Sequence, residues 1–134
     1  MDSQMTTKRI KNPPDHRALP DRALLIRALK WARLPGHGHT IAQACERFGI
    51  SVSTYRKAAR ELGSEARLCS DDEIVLAGLH PSAPTSVESL IYYYDWVNHA
   101  GISPAEMLAI LERLIAQGMV RRAGDRFELA QEWP

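Results

Sequence analysis

Between Thr40 and Gly63 the chain reads TIAQACERFGISVSTYRKAARELG, and the placing of its small, apolar and helix-ending residues leaves few ways to fold. Ile41, Ala44, Cys45 and Phe48 recur at helical spacing and form one apolar face. Cys45, a small residue four positions before Gly49, lets a second helix cross the first closely. Gly49 supplies a backbone conformation that a residue with a Cβ adopts only at a cost. Ile50 is predicted to insert into the crossing. Ser51 is placed to cap the next helix, its hydroxyl accepting from a backbone N–H near Thr54. That helix turns Tyr55, Ala58 or Ala59, and Leu62 inward, leaving Val52, Ser53, Arg56, Lys57 and Arg60 outside. The pattern is two short helices joined by a tight turn, with cations on the outer face of the second.

Gly49, Ile50, Ser51, Ser53, Thr54, Tyr55 and Arg56 resemble the helix-turn-helix of bacterial DNA-binding regulators and insertion-sequence transposases, where glycine, an apolar residue and serine precede a Ser-Thr-aromatic-Arg run. The match covers about a sixth of the chain. Cys45 stands where alanine is usual, and Tyr55 where many regulators have a β-branched residue; tyrosine there is closer to the transposase-type or homeodomain-like variants. The resemblance implies that residues 51–62 enter a major groove. Val52, Ser53, Arg56 and Lys57 would face base edges, with Arg56 or Lys57 suited to guanine O6 and N7, while Thr40, Arg47, Thr54 and Arg60 would hold phosphates.

Charge favours the same half. The whole chain carries a formal +1, yet residues 1–67 hold 13 Lys or Arg against 6 Asp or Glu, and residues 68–134 hold 4 against 10. A surface that displaces counterions therefore belongs to the first half, and phosphate repels the second. With 134 residues, 45% of them hydrophobic, the chain buries one modest core or two small ones. No run approaches the ~20 apolar residues of a membrane span, and MDSQMTTKRIKN has no apolar signal region, so a cytoplasmic protein is expected. Cys45 and Cys69 make no disulfide framework, and Cys45 reads as core.

Residues 1–18 read as a basic arm, interrupted by Asn12, Pro13, Pro14 and Asp15, whose Lys8, Arg9 and Lys11 either track a minor groove or remain solvated. A helix follows from Pro20, with Leu24, Leu25, Ala28, Leu29 and Ala32 on one face and Pro35 and Gly36 as its stop. It completes a three-helix domain over 19–67. The spacing of His16, His37, His39, His80, Cys45 and Cys69 supports no zinc site, and His37 and His39 are read beside phosphate or in solvent. No phosphate loop, nucleophile elbow or carboxylate pair is present, so neither an enzyme nor a cofactor is indicated.

Residues 68–84 read as a connecting segment, in which SDDEIVLAGLH is a short helix or a strand and HPSAPTS a boundary. A helix over 86–99 places Val87, Leu90, Ile91, Tyr94 and Val97 on one side. A second opens at Ser103 and Pro104 and buries Met107, Leu108, Ile110, Leu111, Leu114 and Ile115. MVRRAGDRFEL then alternates as a hairpin with Met119, Val120, Phe127 and Leu129 as its apolar positions. This order, with Leu114, Gly118, Met119, Val120 and Arg121, resembles the winged-helix fold over residues 85–130. It departs from that fold in having one helix, where two are normal, between the first helix and the wing. Glu106, Ala109, Glu112, Arg113 and Gln117 on the last helix suit a phosphate groove poorly; Arg121, Arg122 and Arg126 either touch a backbone or are edge-strand charges. Of the run Tyr92 to Trp96, a single helix face cannot bury all, which makes Tyr92, Tyr93 and Trp96 candidates for a protein interface.

The expected protein is mainly α: an N-terminal three-helix helix-turn-helix domain plus a C-terminal winged-helix-like module, residues 85–134, with a small two-stranded β-hairpin. Its expected function is sequence-specific binding of double-stranded DNA as a transcriptional regulator, with a homodimer or protein partner engaged through the C-terminal module. A protein-interaction adaptor and the DNA-binding subunit of a recombinase or mobile element are the alternatives.

Overall fold

In a computed structural model of the protein, residues 21–134 are described; the basic arm expected over 1–18 lies outside them. The described residues are mainly helical with one small antiparallel hairpin. Six α-helices, α1 (Arg22–Ala32), α2 (Ile41–Phe48), α3 (Val52–Leu62), α4 (Asp71–Ala77), α5 (Val87–Asn98) and α6 (Pro104–Ala116), precede strands β1 (Val120–Ala123) and β2 (Arg126–Leu129). None of these helices is long and apolar enough to cross a membrane. Among the described residues, 21–29 with 40–66 form one compact unit and 30–39 with 67–134 another.

In the first unit, Leu25, Ala28 and Leu29 of α1, Ala44 and Cys45 of α2, and Tyr55, Ala58 and Leu62 of α3 are buried. These are the apolar periods of the sequence, with Leu24 and Ala59 at the half-buried edge. Asp21 accepts from the free N–H of Leu24 at 3.1 Å, and an Arg22–Glu65 ion pair joins the start of α1 to the 3-10 turn after α3.

The second unit corrects two expectations. The segment taken as a connector is α4, and its Ile74, Val75 and Leu76, with Leu79 beyond it, lie in one buried cluster with Leu90, Tyr94, Met107, Leu111, Leu114, Val120, Phe127 and Leu129. It starts under the control of its own charges: the Ser70 hydroxyl accepts from Glu73 N–H, and Asp71, Asp72 and Glu73 occupy the first turn, where the helix dipole favours anions. The HPSAPTS stretch is likewise no boundary. Thr85 N–H donates to Phe127 O at 2.8 Å and Phe127 N–H to Thr85 O at 2.9 Å, while Leu129 N–H donates to His80 O. Thus the core of the second unit includes a third helix, α4, which precedes α5.

Around this core the remaining elements follow local chemistry. Ser103 and Glu106 form a reciprocal capping box at the start of α6, and those hydrogen bonds hold the Glu106 carboxyl below its ordinary value. The hairpin pairs Val120 with Leu129 and Ala123 with Arg126. Gly124 takes φ +68 at the first loop position, as a type II′ turn requires. Leu108, expected inside, is 38% exposed, because the buried row of α6 runs through Met107, Ile110, Leu111 and Leu114. Arg113 holds both Asp72 oxygens of α4, at 2.5 and 3.2 Å.

The loop after α1 is fixed within this unit. The Tyr93 hydroxyl donates to Pro35 O at 2.7 Å, and Lys30 pairs with Glu73 at 2.5 Å. His37 Nε2 lies 2.6 Å from Ala77 O and His39 Nδ1 lies 2.8 Å from Trp31 O; a carbonyl only accepts, so each of those nitrogens carries the proton. His39 also stacks on the Trp31 ring at 3.5 Å. Both histidines, read from the sequence as beside phosphate or in solvent, are half-buried with a carbonyl partner each. Burial holds His37 below the ordinary imidazole value, with His80 and His39 acting in the same direction.

Two outcomes follow from Tyr93. A Cβ on Gly78 would come within 2.8 Å of Tyr93 Cδ2 and 3.2 Å of Leu90 Cδ2, so Gly78→Ala is expected to cost about 1–3 kcal/mol in urea denaturation. Gly101→Ala, with open space around it, should stay within about 0.5 kcal/mol. Burial pushes the Tyr93 hydroxyl up from 10.0 to about 12. The stability it contributes is therefore complete below pH 10 and is lost as pH rises toward 12. Stability followed against pH in that window should decline less steeply in Tyr93→Phe than in the parent chain.

Candidate nucleic-acid interface

The geometry of α2, the turn and α3 is set by three caps. At the first, the Thr40 hydroxyl accepts from Gln43 N–H at 3.1 Å, and the Gln43 side chain accepts from Thr40 N–H at 2.9 Å. This capping box satisfies two groups that would otherwise need water. At the second, Gly49 adopts φ 67, ψ 37, and its N–H returns to Cys45 O. No atom lies within 4 Å of where its Cβ would be, so glycine is required there by backbone conformation and not by crowding. Ile50 N–H also donates to Cys45 O, at 3.0 Å.

Ser51 is the third cap and a small hub. It accepts from Thr54 N–H at 3.1 Å, donates to Thr54 Oγ1 at 2.9 Å, and lies 3.1 Å from Ser53 Oγ. A hydroxyl has one proton and two lone pairs. Since Ser51 gives its proton to Thr54, Ser53 must be the donor toward Ser51. Ser53 thus presents lone pairs outward, and Thr54 retains a proton to donate.

The outward face of α3 differs from the reading made of its sequence in one respect. Val52, 42% exposed, and Ser53, Arg56 and Arg60 are on the surface. Lys57 is not: its side chain is only 18% exposed and lies 4.0 Å from Glu61, one turn on. Lys57 and Glu61 stand at i, i+4, a spacing that brings the two together on a helix. Val52, Arg56 and Arg60, four residues apart, make a single exposed row. Neither arginine has an ion-pair partner among the described residues.

Other predicted contacts are placed less freely. Thr40 is engaged in its cap, with its own proton left to donate. Arg47, in the last turn of α2, lies over the Phe48 ring at 5.7 Å, and Arg27 lies over the same ring at 5.5 Å. Ile41 is 40% exposed, although its period put it inside.

In the second unit, two of the three hairpin arginines are occupied. Arg121 pairs with Glu128 across the strands at 2.6 Å. Arg122 pairs with Glu112 and lies over the Phe127 ring at 5.1 Å. Arg126 is exposed and has no ion-pair partner among the described residues. Tyr92 and Trp96 are 79% and 53% exposed, whereas Tyr93 is half-buried and committed to Pro35. Among the described residues no group of three or more His, Cys, Asp or Glu is arranged to hold a metal ion.

Ser51→Ala removes the acceptor for Thr54 N–H and the partner of two hydroxyls; a loss of about 1 kcal/mol is expected, read from the thermal transition, and Ser51→Asp should recover most of it. Comparison with protein-family models, with curated proteins and with solved structures finds no match.

Proposed function

We propose that the chain binds double-stranded DNA in a sequence-specific manner through α3, acting in the cytoplasm as a transcriptional regulator. The observation that carries this reading is the row Val52, Arg56, Arg60: exposed, aligned along one face, and bearing two guanidinium groups without an ion-pair partner among the described residues. An exposed helix face that keeps its cations unpaired is suited to an external anion.

The contacts divide by chemistry. Val52, at the start of α3, offers an apolar surface to a thymine methyl group. Arg56, one turn further, has the planar fork that meets guanine O6 and N7. Ser53, with lone pairs outward, accepts from an adenine or cytosine amino group. Arg60 and the Thr54 proton serve phosphates, which fix register and carry no sequence information. Lys57, whose side chain is only 18% exposed, contributes charge at a distance and no base contact. Arg121 and Arg122, already paired with Glu128 and Glu112, are left out of the contact.

The test is fluorescence anisotropy of a labelled random-sequence duplex with the full chain over a salt series. Affinity should fall steeply with salt, and Arg60→Ala should reduce the log–log slope by about one unit. Arg121→Ala should leave that slope unchanged. At a selected cognate site Arg56→Ala should cost on the order of 1–3 kcal/mol. Absence of binding at low salt, or a slope indifferent to Arg60, would sink the proposal and favour a protein-docking role.

A further inference from the structure

The surface of α5 is unusual for a small domain. Glu88, Tyr92, Asp95 and Trp96 fall within one stripe of the helix and are all exposed, and exposed His99 continues it at the cap. Tyr92 is the most exposed large hydrophobic side chain among the described residues, at 79%. Next to it, along the same helix, an open apolar cavity of about 260 Å³ is lined by Pro35, Trp96, Val97 and His99. A protruding ring and a recess for a ring thus sit about one helical turn apart.

We propose that α5 is the contact helix of a symmetric dimer, in which Tyr92 of each copy enters the Pro35, Trp96, Val97 and His99 cavity of the other. A two-fold axis makes an interface self-complementary: if one residue meets a second, the second meets the first. For two α5 helices laid antiparallel with the axis at the level of Tyr94, residues equally distant on either side lie opposite. Tyr92 then faces Trp96 and the cavity, and the reciprocal contact follows without further assumption. At the ends of the stripe, Glu88 comes beside His99 of the second copy, a carboxylate opposite an imidazole. Offset or edge-on stacking of Tyr92 on Trp96 adds to the area that each ring buries.

One group opposes association. Asp95 lies nearest the axis, where it approaches its own counterpart, and like charges there weaken the contact. A single pair of helices also buries less than the ~1,200 Å² of a standard stable interface. The dimer is therefore a weak one, formed at high protein concentration or when both copies are held on one ligand.

Sedimentation velocity of the full chain over a concentration series tests this. The parent chain should show a concentration-dependent shift toward twice its mass. Tyr92→Ala and Trp96→Ala should each weaken self-association roughly tenfold or more, and Asp95→Asn should strengthen it. The decisive arm is a mixture. Tyr92→Ala keeps the cavity and Trp96→Ala keeps the ring, so the mixed dimer has one intact contact where each variant alone has none. The mixture should associate more strongly than either variant. A parent chain that stays monomeric at its solubility limit, a Tyr92→Ala variant that dimerises like the parent, or a mixture no better than its components would each overturn the proposal. Because Tyr92 projects into solvent, Tyr92→Ala retains the fold, which circular dichroism verifies, and it decides the matter even if Trp96→Ala loosens the loop at Gly36. Self-association measured without DNA does not report on α3, so either reading can fail alone.

Discussion

The turn from Gly49 to Ser51 is the constraint on which the candidate interface depends. Gly49 in the left-handed region ends α2, and Ser51 in an extended conformation begins α3 two residues later. This short connection fixes both the direction of α3 and its rotation about its own axis. Rotation decides exposure here: turned so that Tyr55, Ala58 and Leu62 are buried, the helix has no choice but to present Val52, Arg56 and Arg60. The apolar side chains determine which cations are available, and they do so without touching them.

Pairing then sorts the charges further than their number does. Arg113 is held by Asp72, Arg121 by Glu128, Arg122 by Glu112, Lys30 by Glu73 and Arg22 by Glu65. Each such cation has its field largely cancelled by a neighbour within contact distance. A net charge computed over half a chain counts them all equally. What an external phosphate meets is the remainder, and on α3 that remainder is concentrated in Arg56 and Arg60.

Much of this was legible in the sequence, for reasons that differ by residue. Where structure is local, the signal was sufficient: Ser51 and Ser103 both cap helices as their positions indicated, and Gly124 opens the hairpin loop. The segment of α4 stays open in the sequence between a short helix and a strand because the apolar run after its three acidic residues is too short for a readable period, and its burial is decided by α5 and α6, which lie further along the chain. Gly78 carried no signal at all, since its backbone is ordinary and the reason for glycine is the Tyr93 ring, fifteen positions away. The HPSAPTS stretch reads as a boundary because two prolines and several hydroxyls crowd it; the bridge partner of Thr85, Phe127, is invisible to any short window. For the site, exposure of the α3 row followed from helical spacing. The low exposure of the Lys57 side chain, which lies 4.0 Å from Glu61, did not follow from that spacing.

The Thr85–Phe127 bridge has a kinetic side. Its two hydrogen bonds join positions 85 and 127, enclosing α5, α6 and the first strand in one loop. The hairpin closes over a two-residue turn and needs no other element, as does each helix with its cap. The bridge is different, because the entropy of closing so long a loop is repaid only when α5 and α6 are already docked. Assembly of the second unit therefore has an order: local elements first, the helix pair upon the hairpin next, and the short strand at Thr85 last, as the latch that records that the others are in place.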